Sequence, residues 1–193
     1  MISKERFEKI KEKYGKVSSW AVWAPELSTA KSNVGNLSVF KKENICDELN
    51  PNYVFVGLNV AGNGELWDLP DWANFHSEYR THNDFKLRYA LKDTKYWGAY
   101  ITDVIKRHSN SDGGQVMSYL KNHPEVVDAN IKDFLEEIEL LGTKPVLVAM
   151  GGKVYKILSE NLKGFTIIPI KHYSFTISKE NYRKELLDAL KDY

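Results

Sequence analysis

The chain has 193 residues, with 27 Lys and Arg against 26 Asp and Glu for a formal net charge of +1, and is 42% apolar and 27% charged. This is the profile of one globular domain with its own core. It excludes a polyanion binder that works by bulk charge, but not an enzyme with a local basic groove.

Residues 3–14 suit an amphipathic helix, with Ser3 as its cap and Phe7, Ile10 and Tyr14 at helical spacing. From Val17 to Asn50 no period is sustained, and loop with short elements is expected around the anchors Trp20, Val22 and Trp23. Tyr53 to Leu58 is a continuous apolar, β-rich run of the kind buried on both faces of a parallel sheet. Asn59 to Asp71, with Gly62, Gly64 and Pro70, reads as a loop. Helical character returns after Ser77 and lasts to about Lys92. Tyr96 to Ile105 is a second strand, and His108 to Gly114 a polar loop.

A long helix spans about Pro124 to Leu141, stopped by Gly142. Pro145 to Met150 is a third strand, leading through Gly151-Gly152 into a helix from about Lys153 to Asn161. Phe165 to Ile170 is a fourth strand, and Ser178 opens a last helix that turns Tyr182, Leu186, Leu187 and Leu190 inward. Apolar strands alternating with helices predict an α/β fold, a single domain over 1–193 with a mainly parallel four-stranded sheet. Ligands bind such sheets at the carboxyl ends of the strands. The segments to question are therefore Asn59 onward, Asp103 to His108, Gly151 to Lys153, and Lys171 to Ser174.

Common signatures are absent. Gly57, Gly62 and Gly64 do not form G-x-G-x-x-G, and Gly151-Gly152-Lys153 lacks the rest of a P-loop. The five histidines show no H-E-x-x-H spacing, and there is no G-x-S-x-G elbow. The single cysteine, Cys46, excludes an internal disulfide and a four-thiolate zinc or iron–sulfur centre. The charged start of the chain carries no apolar leader, and no run reaches about 20 apolar residues, so the cytoplasm is the expected compartment.

What remains is an ordered series: Val-Gly-Leu-Asn-Val-Ala-Gly (56–62), Tyr-Ile-Thr-Asp-Val-Ile-Lys (100–106), Val-Ala-Met-Gly-Gly (148–152) and Ile-Lys-His-Tyr-Ser (170–174). In order and strand context it resembles the uracil-DNA glycosylase superfamily over about residues 53–175. That family has a G-x-N-P-G-like motif, an I-T-N-like strand, an L-G turn and a late H-P-S.

The resemblance implies a three-layer αβα sandwich and a DNA-repair glycosylase that hydrolyses the N-glycosidic bond of a damaged or deaminated base flipped out of single- or double-stranded DNA, without metal or cofactor. Asn59 matches the residue that orients the attacking water, and His172 the donor to the departing base. Phe75 matches the stacking aromatic and Asp103 the reader of the base edge, with Leu58 as a third base-binding residue. Gly152, Lys153, Lys171, Ser174 and Lys106 are the expected phosphate contacts.

Three positions depart from the family. Val60 and Tyr173 replace prolines, and Asp103 replaces an Asn. An ionised Asp only accepts hydrogen bonds, so the preferred base is expected to carry an amino group rather than to be uracil.

Plainer readings stand beside each role. Asn59 suits a turn, His172 a strand end, and Phe75 an ordinary core. Asp103 can cap or pair with Lys106 or Arg107, and the lysines can be solvated surface. Trp67 and Trp72 offer either local packing or a stacking platform. The competing functions are a nucleic-acid or nucleotide-binding module of the same fold that has lost catalysis, and a hydrolase of small N-glycosides.

Overall fold

The computed structural model describes residues 1–60, 69–106, 108, 110 and 112–193. Gly62, Gly64, Trp67 and Arg107 lie outside the described residues. In chain order the elements are α1 (Lys4–Tyr14), β1 (Ser18–Trp20), a 3-10 turn η1 (Leu37–Lys41), α2 (Ile45–Glu48), β2 (Asn50–Asn59), α3 (Asp84–Leu91) and β3 (Ala99–Ile105). There follow α4 (Gly113–Asn122), α5 (Pro124–Leu140), β4 (Val146–Met150), α6 (Gly152–Asn161), β5 (Ile167–Ile170) and α7 (Lys179–Leu190).

The strands form one five-stranded sheet in the order β1-β3-β2-β4-β5. β3, β2, β4 and β5 run parallel, whereas β1 pairs antiparallel with β3. The four expected strands are thus all present, but the sheet is mixed and one strand wider than expected. β1 escaped the pattern because it is only Ser-Ser-Trp. Its two hydroxyls become compatible with burial by donating to the carbonyls of Tyr14 and Trp72 at 2.8 and 2.9 Å.

Helices cover both faces. Val54, Val56, Leu147 and Ala149 face one core with residues of α1, α4, α5 and α6, while Phe55, Ile101, Val148 and Ile168 face a second with residues of α3 and α7. Period-2 alternation along β2 therefore sends neighbouring side chains into different cores. α4 was not expected. Asp112 starts it by accepting from the N–H groups of Gly114 and Gln115, and Val116 and Leu120 bury its inner face.

β3 begins three residues later than expected because Gly98 turns at φ +80° against Glu48, whose carbonyl oxygen would lie 1.9 Å from any Cβ there. Among the described residues no helix is long and apolar enough to cross a membrane.

Candidate functional site

β2, β3, β4 and β5 end at one edge of the sheet, and the sequence-predicted residues are distributed along it. Asn59 closes β2 in register with Ile105 of β3. Its Nδ2 donates to the carbonyls of Asn110 at 2.7 Å, Val60 at 3.1 Å and His108 at 3.4 Å. The amide nitrogen thus ties the end of β2 to the segment after β3. Among the described residues Oδ1 accepts no hydrogen bond, so the carboxamide keeps one acceptor.

Asp103 lies two residues upstream of Ile105, opposite Gly57 in the parallel register. The pairing needs a glycine: a Cβ at residue 57 would sit 2.2 Å from Asp103 Oδ1 and 3.5 Å from Phe75 Cζ. Asp103 is only 3% exposed, and Oδ2 accepts from Asn74 Nδ2 at 3.0 Å. Burial pushes its carboxyl up to about 7, against the smaller opposing effects of the Asn74 hydrogen bond and the Lys106 charge. The protonated carboxyl, which donates as well as accepts, is thereby favoured far above the ordinary carboxylate range.

Phe75 is buried beside Asp103, in a loop where Trp23 Nε1 donates to its carbonyl at 3.2 Å. Its φ of +63° is unusual for a bulky residue, at a cost of about 1–3 kcal/mol that the surrounding packing must offset. Trp72, at φ +67°, packs on Phe7, Trp20 and Phe40 and takes the local-packing alternative. Leu58 does not join Phe75 and Asp103. Alternation points it to the other face, where its Cδ2 lies 3.2 Å from a Cβ position on Gly113.

His172 follows β5, two strand spacings from β2, or about 10 Å across the sheet. The backbone N–H of Ser174 donates to its Nδ1 at 3.1 Å, and Ser174 Oγ lies 2.7 Å from the same nitrogen. The imidazole therefore carries its proton on Nε2. Burial lowers its affinity for a second proton to about 4, so it is a neutral donor at physiological pH. Tyr173 stacks on it at 4.3 Å. The Tyr173 ring turns into the core, where its hydroxyl feels the carboxyls of Asp84 and Asp103. It is not an exposed wedge.

A groove of about 530 Å³ opens beside His172, between β5, α7 and the start of α6, with Phe175, Tyr182 and Leu186 on its walls. Asn59, Asp103 and Phe75 are not among its lining residues.

One expected phosphate contact is corrected. Lys106 is not at the rim. It is 6% exposed, donates to the Asp103 carbonyl at 2.7 Å and lies 2.6 Å from Glu137 Oε2. Glu137, with no exposure at all, also accepts from Tyr100 and Thr102, and a charge that deep requires a cation beside it. Lys171 is exposed but engaged, 2.9 Å from Glu185 of α7. Lys153, Gly152 and Ser174 remain exposed, and no side chain caps α6 at Gly151. Its first N–H groups and the Lys153 ammonium together favour an anion.

Sequence reasoning missed Gly57, Asn74 and a stack of three rings, His108, Tyr119 and His123. For Tyr119 and His123 a signal exists in their i, i+4 spacing. None announces Gly57 or Asn74, which matter only through Asp103. Among the described residues no three His, Cys, Asp or Glu side chains converge as metal ligands. Comparison with family models, with curated proteins and with solved structures finds no match to this chain.

Proposed function

We propose that the chain is a DNA-base glycosylase on a sandwich of the uracil-DNA glycosylase type, its four parallel strands in the order β3-β2-β4-β5. The reading rests on one observation: Asn59, Asp103 and His172, far apart in the chain, come to the same carboxyl edge of these strands. In the reaction the C1′–N bond breaks with its electron pair on the base, the oxygen of water bonds to C1′, and the proton that this water sheds neutralises the departing base anion. His172 supplies a neutral Nε2–H toward the oxygen of the base that gains negative charge. Asn59 orients the water through Oδ1, which accepts no hydrogen bond among the described residues. Asp103, 3% exposed and closed in by Gly57 and Asn74, does not touch the base but holds Asn74 in place behind the site.

The test is incubation with oligonucleotides carrying uracil, cytosine or deaminated purines, at pH 6 and pH 8, followed by alkaline cleavage of abasic sites. Excision that disappears in Asn59→Ala and in His172→Ala supports the reading. Absence of alkali-labile sites with every base overturns it.

A second reading is a nucleic-acid-binding module without catalysis. It is favoured by the groove beside His172, which opens between β5 and α7 and includes neither Asn59 nor Asp103. Oligonucleotide binding by the unmodified chain without excision selects it.

A further inference from the structure

Beside the sheet edge three rings are stacked in one column. His108 and Tyr119 are parallel to within 3° with centroids 4.1 Å apart, and Tyr119 and His123 lie at 25° and 4.2 Å. The rings come from separate places: His108 from the segment after β3, Tyr119 from the middle of α4, and His123 from the junction of α4 with α5. Tyr119 and His123 share a helix face by their i, i+4 spacing. Burial does not explain the column, since Tyr119 is 36% exposed and the His123 side chain 43%. Among the described residues no fourth ring continues it at either end.

We infer that this column is a docking platform for an unpaired base of single-stranded DNA, the segment flanking the base handled at the sheet edge; the inference rests on the glycosylase reading for its location. Three observations carry it. Flat rings at about 4 Å present the π-face on which any nucleobase stacks, whatever its sequence. The rings are also held before a ligand arrives: His123 Nδ1 lies 3.0 Å from Glu125 Oε1, and the carbonyls of His108 and Asn110 accept from Asn59. A base added to the column therefore orders few side chains.

The third observation is continuity with the site. Asn59, which anchors the His108 segment, ends β2, and Lys153 Nζ lies 3.4 Å from the position of a Cβ on Gly113, at the start of α4. From Gly113 to Tyr119 the helix rises about 9 Å, a span of two to three stacked nucleotides at about 3.4 Å each. A strand with a phosphate at Lys153 thus brings a base to the column. Glu125 lies beside His123 at the end of the column, so phosphate attraction contributes little there and stacking supplies the affinity.

The test is the binding of labelled oligo-dT, and of an abasic strand of equal length and charge, to the full chain across a salt series. The chain binds oligo-dT more tightly than the abasic strand. Tyr119→Leu loses on the order of 10-fold for oligo-dT, leaves the abasic strand unchanged and keeps the salt slope, because no phosphate contact is removed. Tyr119→Phe, which keeps the ring, retains the affinity. Should Tyr119→Leu melt, His123→Ala takes its place with the same expected loss.

Equal affinity of the unmodified chain for both strands, no measurable binding, or full affinity in the ring-deleted variants overturns the platform. Excision by the unmodified chain is scored separately. A chain that excises but shows no ring dependence refutes the platform alone. One that stacks oligo-dT through Tyr119 but excises nothing refutes the glycosylase reading alone.

Discussion

Replacing Asp103 with Asn removes a proton equilibrium that burial has displaced, while keeping an oxygen to accept from Asn74. The folded chain holds the Asp103 proton up to about 7 against an ordinary value of 3.8. At about 1.4 kcal/mol per pH unit, this corresponds to on the order of 4 kcal/mol. Because the folded value is raised, the contribution is fully present below about pH 4 and is lost as pH rises through about 7. Asp103→Asn does not titrate, so its stability relative to the unmodified chain climbs by that amount over the same window and is level above it. For a chain of this size 1 kcal/mol moves the melting temperature by about 2–4 °C, so the two melting curves diverge by about 8–16 °C between pH 4 and pH 8. Urea and thermal unfolding of both proteins at each pH read the difference directly. Asp84, whose carboxyl is also raised by burial, is present in both proteins, and its charge adds a small part of the rise at Asp103. Parallel stability curves across this range would refute the account of Asp103 as a buried carboxyl with a displaced proton.

Gly57→Ala pushes a methyl group to within 2.2 Å of Asp103 Oδ1 and costs about 1–3 kcal/mol in urea unfolding. In an Asp103→Ala background that cost falls toward zero, and strict additivity of the two changes counts against the contact. Lys106→Met strands Glu137 in the core and destabilises by about 3–5 kcal/mol, whereas Lys106→Met with Glu137→Leu recovers most of the loss. A single-variant effect below about 1 kcal/mol shows that the pair is not buried. His172 titrates near 4 rather than near 6.5 in a heteronuclear NMR titration, with the neutral form protonated on Nε2. Its folded value is depressed, so its share of stability is lost as pH falls from about 6.5 toward 4, and a midpoint near 6.5 contradicts the enclosed ring. Asn59→Ala releases the carbonyls of His108 and Asn110, seen as faster amide exchange in α4 with little change in global melting; unchanged exchange means that the tie is idle.

β2 and β4 were the most legible of the four parallel strands because their cores are buried on both faces, which leaves a continuous apolar run. By contrast, β3 carries Thr102 and Asp103 and β5 the exposed Pro169 within theirs. α5 and α7 were legible from their caps, Pro124 at the first turn of one and Ser178 before the other. These signals lie within a few residues of the elements they specify. β1 and α4 carry weaker ones, three residues with two hydroxyls in the first and a Gly-Gly start in the second, and their partners are needed to see them. The edge that gathers Asn59, Asp103 and His172 follows from parallel strands alone, and so the neighbourhood of the candidate site was readable.

The chemistry of the individual groups was not. Lys106 reads as a surface cation until Glu137 of α5 closes on it. Leu58 sits next to Asn59 in the chain but is turned to the opposite core by the pleat. Asp103 reads as a plain anion until Phe75, Asn74 and Gly57 enclose it. Periodicity and capping are written in neighbouring residues. Desolvation depends on atoms tens of residues away, so protonation state, ion pairing and face were decided only once the layers had packed.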